Sequence, residues 1–148
     1  MRTVRSSIVV LVSLTLAGVM YGQGTRAPNY RIGVKYRTVV SKARPTPPTL
    51  VLQVSVKPPD FSREAMILLA RRLNKDFAKE ERLSVFLFSD IEAARRFDPT
   101  HKADVESLRG SYHLDRIAGT EELNIFLDPK DPQRNIKIDL TREAKPSS

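Results

Sequence analysis

The chain has 148 residues, a formal net charge of +8 and neither cysteine nor tryptophan. This length predicts one folded domain, and the core should be largely aliphatic because six phenylalanines and four tyrosines are the only aromatic residues. The absence of cysteine excludes disulfide bonds within these residues, and it excludes attachment to a membrane through a lipidated cysteine among them.

The N-terminus has the pattern of a secretory signal peptide. Arg2 and Arg5 precede an uncharged apolar run at residues 8–20, and its 13 residues match the usual length of a signal-peptide core. Small residues follow, so we expect cleavage after Gly22, or after Gly24, and a secreted or periplasmic mature chain. A retained N-terminal membrane anchor is the alternative, although the run is short of the roughly 20 residues that a span needs.

The positive charge is concentrated in an N-terminal arm, residues 23–48, whereas residues 49–148 carry 17 basic and 17 acidic side chains. The arm contains several prolines and no acidic residue. Its six cations are Arg26, Arg31, Lys35, Arg37, Lys42 and Arg44. Such an arm is suited to an anionic envelope polymer or to lipid head groups, since each cation contributes about 1 kcal/mol near an anionic surface. The alternative is a solubilising linker, and no specific nucleic-acid partner is predicted.

The arm also has the alternation of a β-strand. Its apolar residues are Tyr30, Ile32, Val34 and Tyr36. They alternate with basic residues and Gly33, which predicts an edge strand with one apolar row and one basic row. A proline-rich spacer at residues 41–49 cannot continue a sheet. We therefore expect the arm either to add an edge strand to the domain or to remain free.

The most regular part of the chain predicts a β-α-β unit. Residues 50–56 are rich in β-branched side chains, and residues 83–88 include four consecutive apolar residues, as in a strand that is covered on both faces. Between these strands, Ser62 is the expected N-cap of a helix whose apolar stripe runs to about Glu81. Strands joined by one helix are expected to be parallel.

The C-terminal half predicts smaller elements. They are a short helix at 91–97 capped by Ser89 or Asp90, a hairpin with arms at 110–117 and 121–127, and an edge strand near 136–140. Residues 102–108 fit either helical turns or an extended segment, and residues 142–148 are expected to be disordered. Along the hairpin, Leu123, Ile125 and Leu127 are expected to point inward and His113 to face solvent.

The predicted fold class is therefore α+β. We expect a small mixed β-sheet that contains the β-α-β unit and the C-terminal hairpin, with the helices packed on one face. Residues 49–141 should form this single domain.

The sequence contains little that resembles a catalytic pattern. Asp90 and Glu92 follow the second strand of the β-α-β unit, where ligands usually bind in α/β sheets, so a carboxylate pocket there is the enzymatic hypothesis. A helix cap and a first-turn anion explain the same two residues. His101 and His113 lack a third partner at metal-site spacing. We therefore predict no catalytic residue, no cofactor and no metal site.

These observations favour an exported, non-catalytic binding or accessory module of the cell envelope or extracellular space. The alternative is a small hydrolase that uses the carboxylates near Asp90. A pocket lined by carboxylates with shifted pKa values would support the hydrolase, whereas an exposed sheet edge would support the binding module.

Overall fold

The computed structural model describes residues 26–38, 47–128 and 131–143 of the chain. In this part, six strands form one sheet in their order along the chain. The strands are β1 (Tyr30–Arg37), β2 (Leu50–Val56), β3 (Arg82–Phe88), β4 (Leu108–Asp115), β5 (Thr120–Ile125) and β6 (Ile136–Asp139). The helices are α1 (Arg63–Asp76), α2 (Ile91–Arg96), α3 (Lys102–Ser107) and α4 (Leu140–Glu143), with 3₁₀ turns at Pro58–Asp60 and Pro132–Arg134. The predicted signal peptide, Lys42, Arg44 and residues 144–148 lie outside the described residues.

The predicted α+β architecture is confirmed. β2 and β3 are parallel and are connected through α1, which gives the expected β-α-β unit. The other neighbouring strands of the sheet are antiparallel. β4 and β5 form the expected hairpin, and its turn contains Gly119 in the left-handed region at a φ of 68°.

The main core lies between α1 and one face of the sheet. The Ser62 hydroxyl accepts a hydrogen bond from the backbone N–H of Ala65 at 3.2 Å, so α1 begins at the predicted cap. Its apolar stripe then packs on alternate residues of the central strands. The buried residues of this contact include Met66, Leu69, Ala70 and Leu73 of α1, Leu50, Leu52, Val54 and Val56 of β2, and Leu83, Val85 and Leu87 of β3.

The end of α1 differs from the prediction, because the last helical residue is Asp76 rather than Glu81. Phe77 leaves the helical conformation with a ψ of 36°. The Arg116 guanidinium donates a hydrogen bond to the carbonyl oxygen of Asn74 at 3.0 Å. A helix end leaves carbonyl groups without partners, and this side chain from the β4–β5 turn satisfies one of them.

α2 packs on the opposite face of the sheet, which differs from the expected arrangement with every helix on one face. Ala93 and Ala94 are buried against Phe88, and Phe86 lies beside them. These two phenylalanines alternate with the β3 residues that face α1, so they point to the other side. The two alanines carry small side chains, which lets the backbone of α2 approach the strands closely.

A β-bulge at Gly33 divides β1 into two halves. Ile32 lies opposite Val54 of β2, whereas Val34 lies opposite Gln53, so the register skips Gly33. Since Val54 and Gln53 point to opposite faces, Ile32 and Val34 also lie on opposite faces. The predicted single apolar row along this strand is therefore wrong.

The physical reason for the bulge lies in α2. A Cβ atom at Gly33 would overlap with the carbonyl group of Ala94 and would lie 2.8 Å from the backbone nitrogen of Arg95. Only glycine leaves room for the helix backbone at this point of the strand. The bulge and the glycine together let α2 lie directly on β1.

Two further expectations concern the C-terminal half. Of the two alternatives for residues 102–108, the helical one is observed, as α3. In the second arm of the hairpin, Leu123 and Ile125 are buried as predicted, but Leu127 is 44% exposed. Leu127 lies beyond the end of β5, so strand alternation no longer directs its side chain inward.

Candidate functional site

Four cations of the predicted arm are among the described residues: Arg26 precedes β1, and Arg31, Lys35 and Arg37 lie on this edge strand of the sheet. β1 pairs with β2 on one side and with no described strand on the other. Arg26 and Arg31 are exposed, and neither forms an ion pair with any residue that the structure describes. The eight residues of the strand include no acidic side chain.

Arg37 and Lys35 lie on the α1 side of β1, where they contact the segment that follows α1. Two guanidinium nitrogens of Arg37 donate to the two carboxylate oxygens of Glu80 at 2.6 and 2.7 Å. This hydrogen-bonded pair holds the pKa of Glu80 below its usual range. The Lys35 ammonium lies 5.6 Å from the centre of the Phe77 ring. Arg37 is therefore engaged by the domain itself, unlike Arg26 and Arg31.

The start of β1 is fixed to α1. The Tyr30 hydroxyl donates a hydrogen bond to the Asp76 carboxylate at 2.8 Å. Burial and this hydrogen bond raise the pKa of Tyr30 to about 12. The Arg72 guanidinium lies 5.3 Å from the Tyr30 ring centre and donates to the carbonyl oxygen of Pro28 at 3.2 Å. Over its described residues the arm therefore adds an edge strand, which is one of the two predicted alternatives.

An open cleft of about 390 Å³ lies where β2 and β3 end at the same edge of the sheet. Arg31 and Lys57 bring positive charges to this cleft, and Ser89 and Asp90 bring a hydroxyl and a carboxylate. The carboxyl ends of parallel strands are a common place for ligands. Two predicted candidates, Arg31 and Asp90, thus line one cleft, and Glu92 does not line it.

Asp90 and Glu92 both have structural partners. The Asp90 carboxylate accepts a hydrogen bond from the backbone N–H of Ala93 at 2.9 Å and caps α2. Glu92 pairs with Arg95 at 2.7 Å, and both side chains are more than half exposed. Because both carboxylates are exposed and they do not share the cleft, the geometry offers no support for the hydrolase.

The capping role of Asp90 leads to a prediction. Asp90→Ala is expected to lower the free energy of unfolding by about 1 kcal/mol, because the first turn of α2 loses its hydrogen-bond acceptor. Asp90→Ser keeps an acceptor and should cost much less. Urea unfolding of both variants checks this, and an equal loss for alanine and serine would show that the cap does not carry the effect.

A second polar cluster, which the sequence did not indicate, lies on the sheet face opposite α1. Ser84 and His113 are opposite each other in the register of β3 and β4, and the Ser84 Oγ lies 3.0 Å from the His113 Nδ1. Both line a cleft of about 480 Å³. The Phe86 ring stands edge-on to the imidazole, with 6.2 Å between ring centres. His113 is therefore half-buried, and the expectation that it faces solvent is wrong.

This cluster lacks the arrangement of a nucleophilic site. Ser84 lies inside a strand and not on the strand–turn–helix elbow that exposes a catalytic serine. Glu122 is opposite His113 in the register, but its carboxylate binds Lys137 at 2.7 Å and Asn124 at 2.9 Å. The imidazole thus has a hydroxyl partner without an orienting carboxylate. Strand alternation predicts which face of the sheet Ser84 and His113 occupy, but it does not predict that these two side chains contact each other.

The burial of His113 predicts acid sensitivity. Burial lowers the pKa of His113, and the nearby Glu122 carboxylate opposes this shift only in part. The unfolded chain, in which histidine has a pKa of about 6.5, then binds more protons than the folded chain just below that pH. Stability should therefore be complete above about pH 6.5 and fall as the pH decreases through the folded-state pKa.

Urea unfolding between pH 7.5 and pH 5 measures this effect. His113→Gln should reduce the loss of stability over this range. His101→Gln is the matched control, because His101 is exposed and its Nδ1 contacts the Asp104 carboxylate at 3.0 Å. If both variants respond to acid as the parent chain does, His113 is not the group responsible.

The described residues contain no group of three or more histidine, aspartate or glutamate side chains that could hold a metal ion. None of the helices in this part of the chain is both long and apolar enough to cross a membrane. Comparison of the chain with protein-family models, with curated proteins and with solved structures finds no match in any of the three.

Proposed function

We propose that this protein is exported and acts as a non-catalytic binding module of the cell envelope or extracellular space, with an anionic partner that contacts β1. An envelope polymer and lipid head groups are the expected sources of this negative charge. The observation that carries the proposal is the pair of exposed arginines, Arg26 and Arg31, at β1. The outer edge of β1 pairs with no strand that the structure describes, and β1 contains no acidic residue. A concentration of one sign of charge on one edge attracts partners of the opposite sign.

Export is supported by the N-terminal sequence. Arg2 and Arg5 come before the apolar run at residues 8–20, and small residues follow this run near Gly22. The mature chain would then carry its excess positive charge in the segment that includes β1, because the remaining residues balance acid with base.

A binding role rather than a catalytic one is supported by the polar residues of the two clefts. Asp90 caps a helix, and Glu122 is held by Lys137. Ser84 and His113 contact each other across two strands, and no carboxylate among the described residues is hydrogen-bonded to this imidazole. General acid–base catalysis needs a positioned group that is free to exchange a proton with a substrate.

The test is fractionation of cells that express the full chain, followed by measurement of the intact mass and a high-salt wash of the envelope fraction. We expect a mass that begins near Gln23 and envelope-bound protein that salt releases, since exposed charges are screened by salt. A full-length mass in a salt-resistant membrane fraction would contradict cleavage and export in mature form.

Charge reversal separates the arm from the rest of the surface. The double variant Arg26→Glu/Arg31→Glu should move most of the protein from the envelope fraction to the soluble fraction. Arg71→Glu is the control, because Arg71 is exposed on α1 and glutamate there gains a favourable i,i+4 pair with Lys75. Equal release of the control and the double variant, or a parent protein that is soluble from the outset, would overturn the proposed anionic contact.

A further inference from the structure

We infer that the anionic partner is an extended acidic polypeptide that adds to β1 as a further antiparallel or parallel strand of the sheet. This inference rests on the non-catalytic binding function and the anionic contact with β1 proposed above, but it assigns the negative charge to a polypeptide instead of an envelope polymer or lipid head groups. The mode of binding is strand addition, in which backbone hydrogen bonds supply affinity and alternate side chains supply specificity.

The backbone of β1 offers the hydrogen-bonding groups that strand addition needs. The backbone N–H of Thr38 donates to the carbonyl oxygen of Thr49 at 3.0 Å, which defines a hydrogen-bonded pair next to the strand. In an antiparallel ladder, hydrogen-bonded pairs alternate with pairs whose N–H and C=O groups point away from the partner strand. Counting back along the register, Arg37 and Lys35 present these groups to the open edge.

Exposed apolar side chains lie beside this edge on both faces. Ile32 is 43% exposed and Tyr36 is 49% exposed. The bulge places them on opposite faces, because Ile32 lies opposite Val54 and Tyr36 lies opposite Val51. An added strand would cover both of them with its own alternating side chains, and each apolar contact would remove surface from water.

The charge of the edge favours an acidic occupant over a second copy of this chain. Arg31, Lys35 and Arg37 project from β1, and no acidic residue accompanies them in the strand. Two copies paired through β1 would bring these cations side by side, and like charges opposite each other destabilise a sheet. Arg31 and Lys35 lie on opposite faces of β1, because Arg31 is opposite Ser55 and Lys35 is opposite Leu52. A segment with glutamate or aspartate at alternate positions would place carboxylates beside Lys35 on one face, and its other side chains beside Tyr36 on the face that carries Arg31.

A lipid surface fits the same edge less well. Anionic head groups would attract the exposed arginines, but they would leave the open backbone groups of Lys35 and Arg37 to water. A polypeptide strand uses the charges and the backbone groups together, so the edge as a whole favours it.

The test uses the exported chain, purified after processing, and a ten-residue peptide in which glutamate and valine alternate. Two versions of this peptide carry N-methyl groups at alternate residues, so that each version lacks the N–H donors of one strand edge. Binding is measured by calorimetry, and exchange of the Lys35 and Arg37 amide protons is followed by nuclear magnetic resonance. The comparison probes are a peptide in which glycine replaces the valines and vesicles of phosphatidylglycerol.

We expect the glutamate–valine peptide to bind and to protect the Lys35 and Arg37 amides from exchange. One N-methylated version should lose about tenfold or more in affinity while the other retains it, because only one edge of the peptide faces β1. Arg31→Glu should weaken binding about tenfold, and Arg71→Glu should leave it unchanged, since only Arg31 lies beside the added strand.

Strand addition is overturned if both N-methylated peptides bind as the parent peptide does. Equal binding of the glycine peptide, which keeps the backbone donors, would overturn the apolar contacts with Ile32 and Tyr36. Binding to the vesicles alone would overturn strand addition too and would identify a lipid partner. Concentration-dependent dimerisation through β1 would identify a second copy as the occupant. The proposed anionic contact survives if a peptide or the vesicles still bind to β1, whereas failure of every anionic probe to bind would count against that contact as well.

Discussion

Leu52→Ala is expected to lower the free energy of unfolding by about 2–5 kcal/mol, the usual cost of a leucine deletion in a close-packed core. Leu52 has no exposed surface, and it lies at the centre of β2 beneath α1. β2 is paired with a strand on each side, so its backbone cannot move inward to fill the space. Urea unfolding of the purified protein measures the loss as a lower midpoint with an unchanged slope.

Leu127→Ala is the matched control for this prediction. The same chemical change removes the same atoms, but Leu127 is 44% exposed and lies outside the strands. Its replacement should change stability by no more than about 0.5 kcal/mol. If Leu52→Ala cost as little as Leu127→Ala, the central position of β2 in the core would be contradicted.

The elements that the sequence predicts well are those with local signals. The apolar stripe of α1 and its N-cap at Ser62 are both indicated by residues that lie close together in the sequence, and the structure confirms the helix and the cap. The same holds for the hairpin, whose two alternating arms flank Gly119. Such features depend on neighbours a few residues apart, so periodicity and capping are enough to find them.

The side of the sheet on which α2 packs has no local signal of that kind. The apolar run from Val85 to Phe88 indicates that something covers both faces of β3, but it does not identify the cover. The structure shows that Ala93 and Ala94 provide it. A six-residue helix has too little amphipathic pattern to specify its own orientation, so the tertiary contacts decide.

The sequence predicts which cationic residues belong to the candidate site, but it does not predict which contacts these residues make. A cationic segment without acids is visible in the sequence, and Arg26 and Arg31 are indeed exposed. However, two other residues of this segment, Tyr30 and Arg37, have hydrogen-bond partners far along the chain. Tyr30 binds Asp76 and Arg37 binds Glu80, over separations of 46 and 43 residues. Because these partners are so distant in the sequence, no local pattern predicts the two contacts.

Gly33→Ala is expected to lower the free energy of unfolding by about 1–3 kcal/mol, the range for overpacking a filled space. The added methyl group would meet backbone atoms of Ala94 and Arg95, and backbone atoms cannot rotate away as the end of a side chain can. Either α2 moves off the sheet or the bulge in β1 rearranges. Urea unfolding gives the cost, and the amide resonances of Ala93 and Ala94 should shift.

Substitutions at Gly119 are the control that shows whether lack of space causes the loss of stability at Gly33. Nothing lies within 4 Å of a Cβ atom at Gly119, but its φ of 68° disfavours most side chains. Asparagine tolerates this left-handed conformation, so Gly119→Asn should cost less than Gly119→Ala. At Gly33 the order should reverse, because the obstacle there is space and asparagine is larger than alanine. If asparagine were tolerated better than alanine at both glycines, the close contact between α2 and β1 at Gly33 would be contradicted. This contact is the reason given for the bulge, which turns Ile32 and Tyr36 to opposite faces of the sheet.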